Sequence, residues 1–121
     1  MKYMLLIYHD EQGWNKLTEA EREQIYLEYR QLIQDLQSKG QYVAGDQLQP
    51  TSTAGSVKVR EGKHLVTDGP FAETREQLGG FFIIETNDAD EARRIAGRIP
   101  SARQGTVEVR PVVEAVAANP A

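Results

Sequence analysis

No cysteine occurs in the 121 residues, and that absence removes a whole group of functions. Disulfides, zinc–thiolate sites, thiol nucleophiles and thiol redox switches all need the missing residue. An excess of positive charge is missing too. Fourteen Lys and Arg stand against eighteen Asp and Glu, a net charge of −4 with both signs interspersed. Nucleic acids and anionic membranes are bound by basic stripes that neutralise phosphates, so neither is an expected partner. Long apolar runs are also absent. The apolar start, Tyr3 to Tyr8, is too short for a signal segment and runs straight into His9-Asp10-Glu11. No later run approaches membrane-spanning length, and a cytoplasmic protein is expected. There is no G-x-S-x-G, P-loop, H-E-x-x-H or dinucleotide fingerprint. Neither a repeat nor a linker interrupts the chain, so one domain is expected over residues 1–114, followed by a patternless, frayed tail from Ala115 to Ala121.

What is present is a regular succession of elements. Lys2 to His9 predicts a strand that is apolar on both faces, with Met4, Leu6 and Tyr8 on one and Tyr3, Leu5 and Ile7 on the other. Such a strand belongs in the centre of a sheet covered on both sides. Residues 10 to 17 read as a polar loop around Gly13 and Trp14. Thr18, with Glu21 three positions on, forms a capping-box pattern that opens a helix. Ile25, Tyr29, Leu32, Ile33 and Leu36 make its apolar stripe, and Gly40 is its stop signal. Gln41 to Leu48 is a weaker strand interrupted by Gly45-Asp46. Gly55 to Arg60 and Lys63 to Asp68 read as a hairpin around Glu61-Gly62. Glu tolerates positive φ poorly, so a type I turn closed by Gly62 as a bulge is expected there. Its register decides which ribbon face carries Asp68. Gly80 to Thr86 is a second strand apolar on both faces. Asp88, with Glu91, caps a shorter helix whose inner stripe is Ala92, Ile95, Ala96 and Ile99, and Pro100 ends it. Thr106 to Val113 alternates as a last strand.

Without the hairpin, the order is βαββαβ, a ferredoxin-like α+β arrangement with an inserted β-hairpin. That topology centres the first and third core strands, which are the two apolar on both faces. Two helices cover only one sheet face, however. A large exposed apolar face is rare in a monomer, so a two-fold homodimer packed through its sheet faces is expected.

The stretch from Asp68 to Gly80 carries the densest chemistry. Asp68-Gly69-Pro70-Phe71 reads as a turn in which Asp bonds nearby backbone and Pro fixes φ. A second structural reading is a short helical turn, with Thr74 and Gln77 making local bonds. Alternatively Asp68, Phe71, Glu73 and Thr74 form a ligand-contacting loop, since function concentrates on loops held by a rigid scaffold. His9 closes the first strand, either as a hydrogen-bonded edge residue or as a proton-transferring base, a role suited to imidazole. His9, Asp10 and Glu11 alternate in direction and do not converge as metal ligands. Asp46 and Arg110 sit in strands as solvent-facing positions, or else as ligand contacts, Arg110 clamping a carboxylate with its planar fork. Gly79-Gly80 is expected to let backbone pass close to backbone.

MKYMLLIYHDE, VKVREGKHLVTDGPFAETREQLGGFFIIE and GTVEVRPVVE together resemble the DGPF-type proteins of the YCII-related family, over nearly the whole chain. The resemblance implies a ferredoxin-like fold in the dimeric α+β barrel superfamily, usually a homodimer. Shorter YciI-like relatives carry a His and an Asp proposed as a catalytic pair in a cleft. Asp46 is the nearest match to that aspartate. Their histidine lies near the start of the first helix, where this chain has Glu19-Ala20-Glu21-Arg22-Glu23. DGPF-type proteins are often encoded beside an extracytoplasmic-function type sigma factor, which implies a regulatory role. If the barrel forms, the motif is expected at the mouth of a cleft, with Phe71 as a wall. Three functions follow as expectations. One is a cofactor-free enzyme or binder of small molecules, with Asp68 or His9 as general base and no metal. Another is a partner-binding regulator with the sigma factor as candidate partner. The third is a structural dimer.

Overall fold

The computed structural model describes residues 1–114; the expected tail from Ala115 to Ala121 lies outside the described residues. Its elements are β1 (Lys2–His9), α1 (Glu11–Asn15), α2 (Glu19–Ser38), β2 (Tyr42–Gln47), β3 (Gly55–Arg60), β4 (Lys63–Asp68), β5 (Gln77–Glu85), α3 (Ala89–Arg98) and β6 (Thr106–Pro111). The main sheet runs β2-β5-β1-β6, antiparallel throughout, and β3–β4 form a separate ribbon. This is the ferredoxin-like α+β fold with a hairpin inserted between its second and third core strands.

The doubly apolar strands β1 and β5 occupy the centre, as their composition requires. On the helix-covered face Tyr3, Leu5, Ile7, Phe82 and Ile84 are buried against Leu32 and Leu36 of α2, Ala92 and Ile95 of α3, and Ile99. Each such Leu or Ile contributes about 1.5–3 kcal/mol relative to exposure. The opposite face presents Met4, Leu6, Tyr8, Phe81 and Ile83. No element among the described residues covers it, and these side chains remain only half-buried.

Helix ends form where the sequence signals them. The Thr18 hydroxyl accepts from Glu21 N at 3.1 Å, and the Glu21 carboxylate accepts from Thr18 N at 2.8 Å. Gly40 takes φ +69 and closes α2 with paired bonds, Gln41 N to Leu36 O and Gly40 N to Gln37 O. At α3, Asp88 accepts from Glu91 N, but the Glu91 carboxylate reaches Asn87 N, one residue before the cap.

Two local expectations are corrected. Residues 10–17 are not a plain loop, because Asp10 accepts from Gln12 N and opens the five-residue α1 that carries Trp14. The hairpin turn is not a type I turn with a bulge. Arg60 pairs with Lys63, leaving a two-residue loop in which Glu61 (φ 52) and Gly62 (φ 75) are both left-handed, as in type I′. The twist of the two strands overrides the preference of Glu. That register sets Asp68 on one ribbon face with Val57, Val59, His64 and Val66.

Candidate functional site

The site is built around an irregularity in β5. Ile7 pairs with Gly80, yet Tyr8 pairs with Leu78, so Gly79 is an extra residue forming a β-bulge. Bulges bend a strand and re-aim neighbouring side chains. Here His9 lies directly on Gly79: a Cβ added at that glycine would meet His9 Cε1 at 2.4 Å and Nδ1 at 2.9 Å. On its other side the imidazole stacks on Trp14, with ring centroids 6.0 Å apart and planes 23° from parallel. Among the described residues, no hydrogen bond engages either of its ring nitrogens. Gly80 has a different task. Its absent Cβ would meet the Asp46 carbonyl at 2.9 Å, the close approach of two backbones expected from the sequence.

The His9 ring faces a cavity of about 160 Å³ between the sheet and the first two helices. Trp14, Tyr26, Tyr29 and Phe82 supply aromatic walls, and Ile7 with the bare backbone of Gly79-Gly80 supplies the floor. Polar groups are few. The Tyr26 hydroxyl accepts from Gln47 Nε2 at 3.2 Å, and the Tyr29 and Ser101 hydroxyls share a bond of 2.7 Å. Burial pushes the Tyr29 phenol above its ordinary pKa despite that bond. A second cavity, of about 400 Å³, lies behind His9, Trp14 and Ser101 and is lined further by Asp10, Arg103 and Gln104. His9 therefore lines both cavities.

Two comparisons bear on this arrangement. Residues 1–116 match the YCII-related domain. An uncharacterised protein of Rhizobium meliloti (strain 1021) is 33% identical over 114 residues, covering 93% of this chain and 92% of that protein. The chain belongs to the YCII-related family.

In this YCII-related chain the candidate residues from the sequence fall into three places. His9 lines the cavity with its side chain. Asp46 borders the same cavity, but it pairs with Phe81, which sets its side chain on the open sheet face. Burial first and then the Asp46 charge raise the pKa of Tyr42. No hydrogen bond joins His9 to Asp46 among the described residues. Arg110 also faces away from the cavity, where its Nε donates to Glu108 Oε2 at 2.7 Å.

Asp68, Phe71, Glu73 and Thr74 form the third group, and none of them lines the cavity. Phe71, expected as a cleft wall if the barrel forms, is 87% exposed in this single chain. The backbone explains the position. Gly69 N donates to Ala54 O, and Ser56 Oγ donates to Gly69 O, pinning the Asp-Gly-Pro turn to the foot of the ribbon. Thr74 donates to Glu76 O and accepts from Gln77 Nε2, so the local bonds expected of Thr74 and Gln77 are present, but without a helical turn. The motif is nonetheless tied to the cavity end of the sheet. Glu11 N donates to Gln77 Oε1, and the Glu11 carboxylate accepts from both Thr51 N and Thr51 Oγ1. Asp10 and Glu11 thus cap a helix and bind a loop, while His9 points elsewhere.

Trp14, Tyr26, Gln47, Gly79 and Ser101 were not identified as site residues from sequence. Tyr26 and Tyr29 carry the one usable signal, being hydroxyl-bearing aromatics on the inner side of α2. A stripe that only fills a core has little use for phenols.

Proposed function

We propose that the cavity beside His9 binds a small organic molecule and that the imidazole exchanges a proton with it, without a cofactor. The observation that carries this reading is the His9 ring itself. It is held by Trp14 and by the missing Cβ of Gly79, borders a cavity, and has no hydrogen-bond partner among the described residues. The ring is only half-buried, so its nitrogens stay open to the cavity and to a ligand in it. In the step itself, one imidazole nitrogen accepts the ligand's proton as the ligand bond to hydrogen breaks, and the same proton is returned to the product. Asp68 is exposed on the ribbon, so the general-base role falls to His9.

The reading includes a homodimer in which the open sheet faces of two copies cover each other. Met4, Leu6, Phe81 and Ile83 form the apolar centre of that face, which the described residues of a single chain leave uncovered. A partner-binding role is the second reading, and the exposure of Phe71 and of the carboxylates around it favours it. A sigma factor is its candidate partner.

A thermal-shift screen of small metabolites on the wild type, His9→Gln and Asp68→Ala separates the two. A ligand at a hundredfold excess over its Kd adds about 2.7 kcal/mol to folded-state stability. Hits kept in Asp68→Ala and lost in His9→Gln support the cavity. Hits lost only in Asp68→Ala, or no hits together with capture of a protein by the ribbon, support the second reading.

A further inference from the structure

The dimensions and walls of the cavity narrow the ligand to one class. We infer that it accepts a single six-membered aromatic ring bearing a hydroxyl group, a monocyclic phenol, laid beside His9; the inference rests on the reading of this cavity as the ligand site. Volume sets the first limit. The free space is about 160 Å³, close to the roughly 150 Å³ of an engineered apolar cavity that binds benzene. One ring fills such a space; because the cavity is open on one side, a fused second ring would extend out past its aromatic walls and lose contact with them.

The walls set the second limit. Trp14 meets Tyr26 edge to face at 5.6 Å, and Tyr29 meets Phe82 edge to face at 6.1 Å. Aromatic rings prefer offset or edge-to-face neighbours because face and edge carry opposite partial charge. A planar ring among these four finds such edges and faces, whereas a saturated ring of similar volume gains only contact.

The polar groups set the third limit. Tyr26 accepts from Gln47 and keeps its own proton to donate, and the bonded Tyr29–Ser101 pair retains one further O–H. A ligand hydroxyl can donate to the His9 imidazole while accepting from one of these phenols. Benzene would leave the imidazole nitrogens and these spare O–H donors without a partner in the ligand. A carboxylate would bring negative charge into a space that no Lys or Arg of the described residues lines.

Trp14 is the only tryptophan of the chain and stands in the cavity wall, so its emission reports occupancy directly. The test is a fluorescence titration of the intact protein with phenol, cyclohexanol and benzoate, exciting Trp14 beyond the absorption of the probe, joined by a calorimetric titration with 2-naphthol, whose absorption overlaps that of tryptophan. Saturable binding of phenol is expected, with the other three weaker by about tenfold or more. His9→Gln, checked for native circular dichroism, is expected to weaken phenol selectively. If cyclohexanol, 2-naphthol or benzoate binds as tightly as phenol, the ligand class is overturned while the cavity stands as a site. If no probe saturates, the class and the reading beneath it both fall.

Discussion

At Gly79 and Gly105 the same small change meets different neighbours. An added methyl at Gly79 meets the His9 ring at 2.4 Å, whereas at Gly105 it meets the Tyr8 carbonyl oxygen at 2.1 Å. A side chain can swing aside and a strand backbone cannot. Gly79→Ala should therefore cost about 1–3 kcal/mol, as overpacking does, and should abolish ligand responses by displacing His9. Gly105→Ala should destabilise more in urea denaturation while moving His9 less. Tyr29 gives a pH signature. Burial raises its folded-state pKa above the unfolded value near 10. The stabilisation that this shift represents is complete below the unfolded pKa and is lost as pH rises through the folded one. Stability should decline in the alkaline range, and Tyr29→Phe should flatten that decline. Little of this was legible beforehand. Tyr29 reads as core from its spacing, and Gly79 reads as a backbone crossing, because its real neighbour is fixed by a bulge that only the folded register creates.

Elements were far more legible, because their signals are local. The Thr18–Glu21 box, the Gly40 stop and the double-sided apolarity of β1 and β5 all act over a few residues. The failures at this scale have a common cause. α1 is five residues long with Gly13 inside it, too short for any periodicity to show. The ribbon turn adopts the form its strands demand, not the one Glu61 prefers. That residue sits at φ 52, a conformation costing an ordinary residue about 1–2 kcal/mol. Asn tolerates it better, so Glu61→Asn should stabilise the hairpin. Because Val57, Val59, Leu65 and Val66 are all exposed, the gain should appear as slower amide exchange within β3 and β4. The global unfolding midpoint should stay nearly constant.

For the whole molecule, the arrangement divides the labour between two sheet faces. One packs on α2 and α3 and holds the cavity at its end; the other is apolar in the middle, with Arg110–Glu108 on one flank and Asp46 on the other. A protein that pairs through this face should sediment as a dimer at micromolar concentration. Leu6→Asp should sediment as a monomer, since an unpaired carboxylate cannot be buried there cheaply. A wild type that stays monomeric would remove the dimer from the account and leave the cavity untouched. The sequence showed this division through β1 and β5, each apolar on both sides. It could not show where the ribbon and its motif lie, because that depends on contacts between Glu11, Thr51 and Gln77 far apart in the chain.

The central claim is that ligand is held at His9 and not at the motif. The chain has two histidines, His9 at the cavity and His64 on the exposed ribbon, so imidazole proton resonances separate the sites directly. They should be followed by NMR as a small-molecule hit is titrated, with His64→Gln fixing the assignment. The account predicts that the His9 resonances shift to saturation while those of His64 and the amides of Phe71 to Thr74 stay in place. Shifts confined to His64 and that loop, with His9 unmoved, would contradict it.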